Sequence, residues 1–328
     1  MIDLSIIIVN WNSVAYLDKC LESIFAKDRG ISLEVIVVDN ASYDGAANLL
    51  VEKYPRGIFV QSHENLGFAR ANNLGFAHSK GRNLLFLNPD TEIIGSALEI
   101  MLHQLGAIPD AGAVGGRLLN SDGSLQISCV QPFPTILNQI FDIEYLMIRF
   151  PRLPLWGIRS LFFYNGNPEP VEAVSGACIM VSRKIFEQVG QFSNDYFMYG
   201  EDLDLCYKIW AAGRKVYYVG DAALMHHGGG STRQPKGNRF ENVLRRESVY
   251  VLLKKTRGKG TAILYRIALG VASLWRLAIL ALASPFILIS LGNRILLGLI
   301  KKWVNVLSWS LGIEKWSTQP AMGIVRKG

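Results

Sequence analysis

Polar residues gather in four short clusters of this chain, each directly after an apolar run of strand length. They are Asn10-Trp11-Asn12, the stretch Asp39-Asn40-Ala41-Ser42-Tyr43-Asp44-Gly45, the stretch from Glu64 and Asn65 through Gly67 to Asn72 and Asn73, and Asn88-Pro89-Asp90. An open parallel sheet binds its ligand at the carboxyl ends of its strands, where all four clusters fall. Singly, Asp39 and Ser42 would close a turn and cap a helix, and Asp90 would cap too. Four clusters on four consecutive runs converge on one edge, which unrelated turns do not explain. Further on stand the acids Glu201, Asp202 and Asp204 and the pair His226-His227. Acids of this kind favour the dipole at a helix start. No Gly-rich phosphate loop, Walker lysine pattern or GxGxxG follows the first run, which disfavours P-loop and dinucleotide-binding folds.

The elements that must position these residues are legible as two alternating periods. Residues 4–9, 35–38, 58–60 and 84–87 read as buried strands. Between them, Leu17, Leu21, Ile24 and Phe25 recur at helical spacing behind a cap at Asn12 or Ser13. Helices are also expected over about 45–54, with Asp44 near the cap, and over 67–79. Strands alternating with helices give an α/β fold whose mostly parallel sheet is covered on both faces. Residues 120–170 carry Pro132, Pro134, Pro151, Pro154, Pro168 and Pro170 and read as a long insertion or lid. A strand over 173–181, a helix over 201–212 and a strand over 216–219 follow.

Charge divides the chain. Residues 1–230 hold 17 Lys/Arg and 24 Asp/Glu, a net −7; residues 231–328 hold 17 and 3, a net +14. Mean hydropathy is +0.21 over 328 residues. An acidic body with a basic apolar tail fits a domain held on an anionic membrane, not a nucleic-acid binder. The tail opens with a basic helical segment, 239–259, and continues as a very apolar one, 261–300. Its uncharged stretch 277–293 would extend about 25 Å as a helix against about 30 Å of hydrocarbon, and Pro285 interrupts it. Lys254, Lys255, Arg257 and Lys259 flank it on one side, Lys301 and Lys302 on the other, with Trp275, Trp303 and Trp309 near the apolar ends. A re-entrant or interfacial helical hairpin is expected over a crossing. Cys20, Cys129, Cys178 and Cys206 form no CxxC pair, so free cytosolic thiols are expected and no structural zinc. No secretory leader is expected, since Asp3 interrupts the apolar start.

Together the motifs resemble the family-2 inverting glycosyltransferases of GT-A fold, their rhamnosyltransferase-like branch in particular. The resemblance covers about residues 3–230. Its second half rests on Val174-Ser175-Gly176-Ala177-Cys178, Phe192, Met198-Tyr199-Gly200-Glu201-Asp202-Leu203-Asp204 and His226-His227-Gly228-Gly229-Gly230-Ser231, in the family's order. The resemblance implies that Asp90 ends the DxD motif, here Asn88-Pro89-Asp90, in which the first carboxylate is missing. Asp90 and a histidine, His226 in preference to His227, would hold Mn²⁺ or Mg²⁺ on the donor diphosphate; imidazole suits Mn²⁺ better. Asp202, beside Glu201, matches the catalytic base, with Asp204 the competitor. An apolar wall and a second acid would raise such a carboxyl's pKa. Asp39 resembles the residue that binds the pyrimidine, with Asn10, Asn12, Asn40 and Ser42 beside it. Asn65, Gly67, Asn72 and Asn88 would line the donor pocket, and Gly176 would admit donor or acceptor.

The resulting expectation is a GT-A domain over residues 1–237 and a basic, apolar, helical membrane-association region over 238–328. The enzyme would move a sugar with inversion from a pyrimidine nucleoside diphosphate, such as dTDP-rhamnose, to a hydroxyl of a lipid-linked saccharide. Surface polysaccharide, O-antigen or capsule, would be the product, made at the cytoplasmic face of the inner membrane. Two rivals are a sugar-nucleotide nucleotidyltransferase, which would want a Gly-rich basic loop after the first strand, and a catalytically degenerate sugar-nucleotide-binding scaffold, which the incomplete DxD invites.

Overall fold

A computed structural model describes residues 2–26, 30–141, 146–147, 149–153, 156–162, 165–228, 239–290 and 292–313. Gly229, Gly230 and Ser231 of the histidine motif lie outside them, as does Pro154. The chain forms two compact units. The first comprises Met1–Phe133, Met147–Phe197 and Glu201–Arg233; the second comprises Pro134–Leu146, Met198–Gly200 and Gln234–Gly328.

The first unit is built on a mixed sheet. Its strands are β1 (Leu4–Asn10), β2 (Leu33–Asn40), β3 (Ile58–Ser62), β4 (Asn83–Leu87), β5 (Thr91–Ile93), β6 (Ala111–Leu119), β8 (Glu169–Val171), β10 (Cys178–Ser182) and β11 (Lys215–His226). The order is β3-β2-β1-β4-β10-β6-β11-β5, with β8 also on β11. Strands β1 to β4 are mutually parallel, as are β6 and β11; β10 runs antiparallel between β4 and β6. Ile6, Ile7 and Ile8 of β1 and Val35 to Val38 of β2 are fully buried, as strands covered on both faces require. The helices of this unit are α1 (Val14–Phe25), α2 (Ala46–Lys53), α3 (Gly67–Ala77), α4 (Ala97–Ala107), α6 (Arg183–Gln188) and α7 (Glu201–Ala211).

Three local expectations change, the first being that the strand expected over 216–219 runs over Lys215–His226 as β11. The strand expected over 173–181 is two: β9 (Ala173–Val174), which pairs with β7 (Val130–Gln131), and β10 in the main sheet. Ser175-Gly176-Ala177 turns the chain between them, and the Gly176 N–H donates to Asp202 Oδ2 at 3.0 Å. The cap of α1 also differs. The Ser13 hydroxyl donates to Asn10 Oδ1, while Asp44 Oδ2 accepts from the Ser13 and Val14 N–H groups at 2.9 Å each. Asp44 Oδ1 also accepts from Ala46 N, so one carboxylate serves the starts of both α1 and α2.

The second unit is helical: α5 (Ile136–Ile140), α8 (Arg239–Arg257), α9 (Lys259–Ser290) and α10 (Asn293–Ser310). Gly258, at φ +87°, separates α8 from α9. Leu253, Tyr265, Leu269, Leu296, Trp303, Val306 and Trp309 form its core. The Trp309 indole N–H donates to Glu247 Oε2 at 2.6 Å.

Candidate active site

Parallel register brings the four clusters to one edge. Asn10 pairs with Asp39 across β1 and β2, and Asp39 with Gln61 across β2 and β3. Asp39 is 1% exposed and accepts from Asn10 Nδ2 (3.1 Å), the Ser42 hydroxyl, Tyr43 N (3.0 Å) and Gln61 Nε2 (2.8 Å). Burial alone would push its carboxyl up; the donors from Ser42, Gln61, Tyr43 and Asn10 outweigh burial and hold it below the ordinary carboxylate value. Asp39 therefore does close the turn through Tyr43, and it stands as an anion in a ring of donors. Asn10 is a hub: its amide N–H groups reach Asp39, Ser42 and Asp44, and its oxygen accepts from Ser13. Asn12 is exposed beside it. Asn12, Ala41 and Tyr43 all have left-handed backbones, at φ +52°, +61° and +51°. Such residues cost roughly 1 kcal/mol or more each and persist where surroundings over-determine the loop. Here Asp39 and Asp44 do that.

The third cluster is tied to the second. Asn40 donates to Asn65 Oδ1 at 2.9 Å and accepts from Leu66 N at 2.8 Å. Gly67 opens α3 at φ +74°, and a Cβ there would stand 2.2 Å from the Phe197 carbonyl oxygen, so only glycine fits. Asn72 is buried and donates to Phe68 O of its own helix, which accounts for its amide within α3.

The fourth cluster meets the histidines. β5 pairs with β11 so that Thr91 faces His226, which brings Asp90 Oδ1 to 3.3 Å from His226 Nε2. Asn88 Nδ2 lies 3.4 Å from the same nitrogen. The other side of the ring is set by Gln126. Its Nε2 donates to the His226 carbonyl at 2.6 Å, so its Oε1, 2.8 Å from His226 Nδ1, must accept. Nδ1 thus carries a proton, and Nε2 is the ring nitrogen that faces Asp90. His227 is held elsewhere, by Ser121 and by Glu92 at 2.7 Å each. Of the two histidines, His226 is the one beside Asp90.

The acids of α7 face different ways. Asp202 is half-buried; its Oδ2 accepts from Gly176 N and from Gln131 Nε2 (3.1 Å), and its Oδ1 from Leu203 N. A Cβ on Gly176 would stand 3.2 Å from Asp202 Cβ, so the glycine permits the approach. Asp204 is 2% exposed and engaged by Ser193, Tyr196 and Lys208. Glu201 is buried, with no hydrogen-bond partner for Oε2 among the described residues. Burial, and then the charge of Asp202, push its carboxyl up to about 8. The acid raised by an apolar wall and a neighbouring carboxylate is therefore Glu201.

Three glutamines were missed by sequence reasoning: Gln61, Gln126 and Gln131. Gln61 had a signal, since it follows the third apolar run at the register of Asp39. Gln126 and Gln131 sit in the stretch read as an irregular insertion, where no periodicity marks them.

A mixed, mostly parallel α/β sheet with amides and carboxylates along its strand ends and an acid-led helix beside them is a GT-A-type fold. The chain belongs to glycosyl transferase family 2: the description of that family matches residues 5–190, and that of glycosyl transferase family group 2 matches residues 146–312. It is a glycosyltransferase, which sets aside the nucleotidyltransferase reading. The chain is similar to an N-acetylglucosaminyl-diphospho-decaprenol L-rhamnosyltransferase of Mycobacterium tuberculosis, 29% identical over 76% of this chain and 83% of that protein. It is also similar to rhamnosyltransferase WbbL of Escherichia coli, 26% identical over 68% and 82%. In fold it matches a mannosyltransferase of Pyrobaculum calidifontis solved with GDP-Man and Mn²⁺, at TM-score 0.57 and 18% identity, over 96% of this chain and 88% of that one.

Proposed function

We propose that this glycosyltransferase moves a deoxysugar, such as rhamnose from dTDP-rhamnose, with inversion onto a hydroxyl of a lipid-linked saccharide during surface polysaccharide synthesis. The observation that carries the reading is the division between Asp202 and Asp204. Asp202 is accessible and oriented by Gly176 and Gln131, whereas Asp204 is tied inward. An oriented, partly open carboxylate is what proton removal from an acceptor hydroxyl needs. Asp202 is the base in this reading and Asp204 a structural acid; Glu201, uncharged near neutral pH, adds no second charge beside it. The Asp39 ring of donors would meet the pyrimidine, with one of its contacts exchanged for the base. The donor and acceptor classes are supported by the names of the mycobacterial and enterobacterial relatives.

The donor set at Asp90 and His226 fits a divalent cation. Asp90 Oδ1 and His226 Nε2 face one another 3.3 Å apart, a carboxylate oxygen and an imidazole nitrogen close enough to share one ion. Among the described residues no third His, Cys, Asp or Glu joins them, so diphosphate oxygens and water would complete the shell. The ion would neutralise charge on the leaving diphosphate, and imidazole favours Mn²⁺.

The second unit is read as the membrane-association region, at the cytoplasmic face of the inner membrane, where a lipid-linked acceptor is met. One of its helices, over Lys259–Phe286, is long and apolar enough to cross a membrane by length and composition.

The test is release of nucleoside diphosphate from a panel of dTDP-, UDP- and GDP-sugars by the full-length protein, with Mn²⁺ or with chelator. Turnover of a pyrimidine-linked donor that stops in chelator is expected. Turnover of GDP-sugars alone would overturn the donor class, and full activity in chelator would remove the metal.

A further inference from the structure

Helix α9 is turned inside out for a protein in water. Its exposed residues between Thr261 and Phe286, among them Ile263, Ile267, Val271, Leu274, Leu282 and Phe286, include no charged one. They recur at three- and four-residue steps, so they form one continuous stripe about 35 Å long. The two charged residues in the same span point the other way. Arg266 donates to the Trp309 carbonyl at 2.7 Å and to the Ser310 carbonyl at 3.1 Å. Arg276 lies over the Trp303 ring at 4.2 Å. A helix that hides its cations against a partner helix and shows its leucines needs an apolar surrounding on that side.

The level of the cations decides how the stripe meets that surrounding. Lys302 lies over the same Trp303 ring as Arg276, at 5.0 Å, and Lys301 beside it is exposed. Arg276 is about 20 Å along the axis from Ile263 and about 15 Å from Phe286. A crossing that buried the whole stripe would therefore carry Arg276, Lys301 and Lys302 to the middle of the hydrocarbon, where a charged side chain is costly. A helix laid flat keeps all three at headgroup depth, where long basic side chains reach phosphate. A second copy of the chain is a poorer occupant, because residues 231–328 carry a net +14 and two such regions would repel. An anionic lipid surface is attracted by that charge.

We infer that α9 lies lengthwise in the membrane–water interface, its apolar stripe against the acyl chains of an anionic leaflet and Arg276, Lys301 and Lys302 at the level of the phosphates. The inference rests on the membrane reading of the second unit and adds the orientation and the contact face. A single nitroxide label would be placed in full-length protein at Ile267→Cys, Leu274→Cys or Leu282→Cys, with Asp221→Cys as the control. The native Cys20, Cys129, Cys178 and Cys206 are all buried and leave the label selective. Vesicles of phosphatidylcholine with and without phosphatidylglycerol are the probe. All three stripe labels should sit at one shallow depth, about 5–10 Å below the phosphates, with Asp221→Cys in water. Binding should be at least tenfold stronger with phosphatidylglycerol, and Leu274→Glu should reduce it at least tenfold. Strong binding with the Leu274 label near the bilayer centre, or with depth graded along the stripe, would overturn the flat orientation and leave membrane association standing. Strong binding with all labels in water, or unaffected by Leu274→Glu, would overturn the contact face. Protein that binds neither vesicle would overturn the membrane reading itself.

Discussion

At the scale of single residues, two neighbours in one helix turn are separated by what holds them. Asp202 is oriented by one backbone and one side-chain donor and remains half-open; Asp204 has Ser193, Tyr196 and Lys208 around it. Asp202→Asn should lower turnover by roughly two decades or more with donor affinity nearly unchanged. Asp204→Asn should instead lower the melting temperature and leave turnover of the folded fraction close to normal. A dead Asp204→Asn with an active Asp202→Asn, both folded, would reverse the assignment. Gln126 gives a second residue-scale prediction, since it fixes which His226 nitrogen faces Asp90. Gln126→Leu should raise the Mn²⁺ concentration for half-maximal activity roughly 10–100-fold. Electron paramagnetic resonance of Mn²⁺ with nucleoside diphosphate reads the same shift without turnover. Asp90, His226, Asp202 and Gly176 were legible because their types recur in a motif order. Gln126 and Gln131 were not, because their meaning comes from the fold: each is a side chain reaching about 70–100 positions along the chain.

At the scale of elements, the strands were read well where burial on both faces gives an unbroken apolar run, as in β1, β2 and β4. The splitting of residues 173–181 into β9 and β10 was not legible, because Val174 and Cys178 are apolar on both sides of the turn. What makes the turn is the Gly176 N–H bond to an aspartate on a helix that begins 25 residues later. Helix α7 itself carries the clearest consequence of burial. Three acids occupy its first turn, and Glu201 is the one pushed up to about 8. A carboxyl raised in the folded state stays protonated while the unfolded chain ionises above the ordinary value of 4.5. The folded state then binds more protons between pH 5 and pH 8, so this group makes stability fall as pH rises through that window. Glu201→Gln should remove the fall. Its stability relative to the parent should improve by a few kcal/mol at pH 8 and be near parity at pH 4.5. Denaturant titrations at both pH values measure this, and an equal difference at both would contradict the assignment of the raised group.

At the scale of the whole molecule, the division of charge in the sequence and the division of the chain into units fall close together, but not at one point. Met198–Gly200 and Pro134–Leu146 cluster with the C-terminal helices, and Ile136 packs on their core. A linear reading had no means of assigning a stretch of 13 residues inside a Pro-rich segment to a core built a hundred positions later. That assignment shapes the expected outcome of truncation. A fragment ending at residue 233 retains all nine strands of the main sheet and the Asp39, Asp90, His226 and Asp202 groups. It should unfold cooperatively, stay in solution without vesicles and bind nucleoside diphosphate with an affinity within a fewfold of the full chain. The turn of helix around Ile136 loses the core that covers it, so limited proteolysis should cut there in the fragment and spare it in the full-length protein. Transfer to a soluble acceptor should persist, while transfer to a lipid-linked acceptor in vesicles should drop at least tenfold, because in the proposed function the C-terminal helices keep enzyme and acceptor on one surface. A fragment that is insoluble or binds no nucleotide would mean that the C-terminal helices are part of the catalytic unit's fold, and equal rates on the vesicle-borne acceptor would mean that they do not bring enzyme and acceptor together.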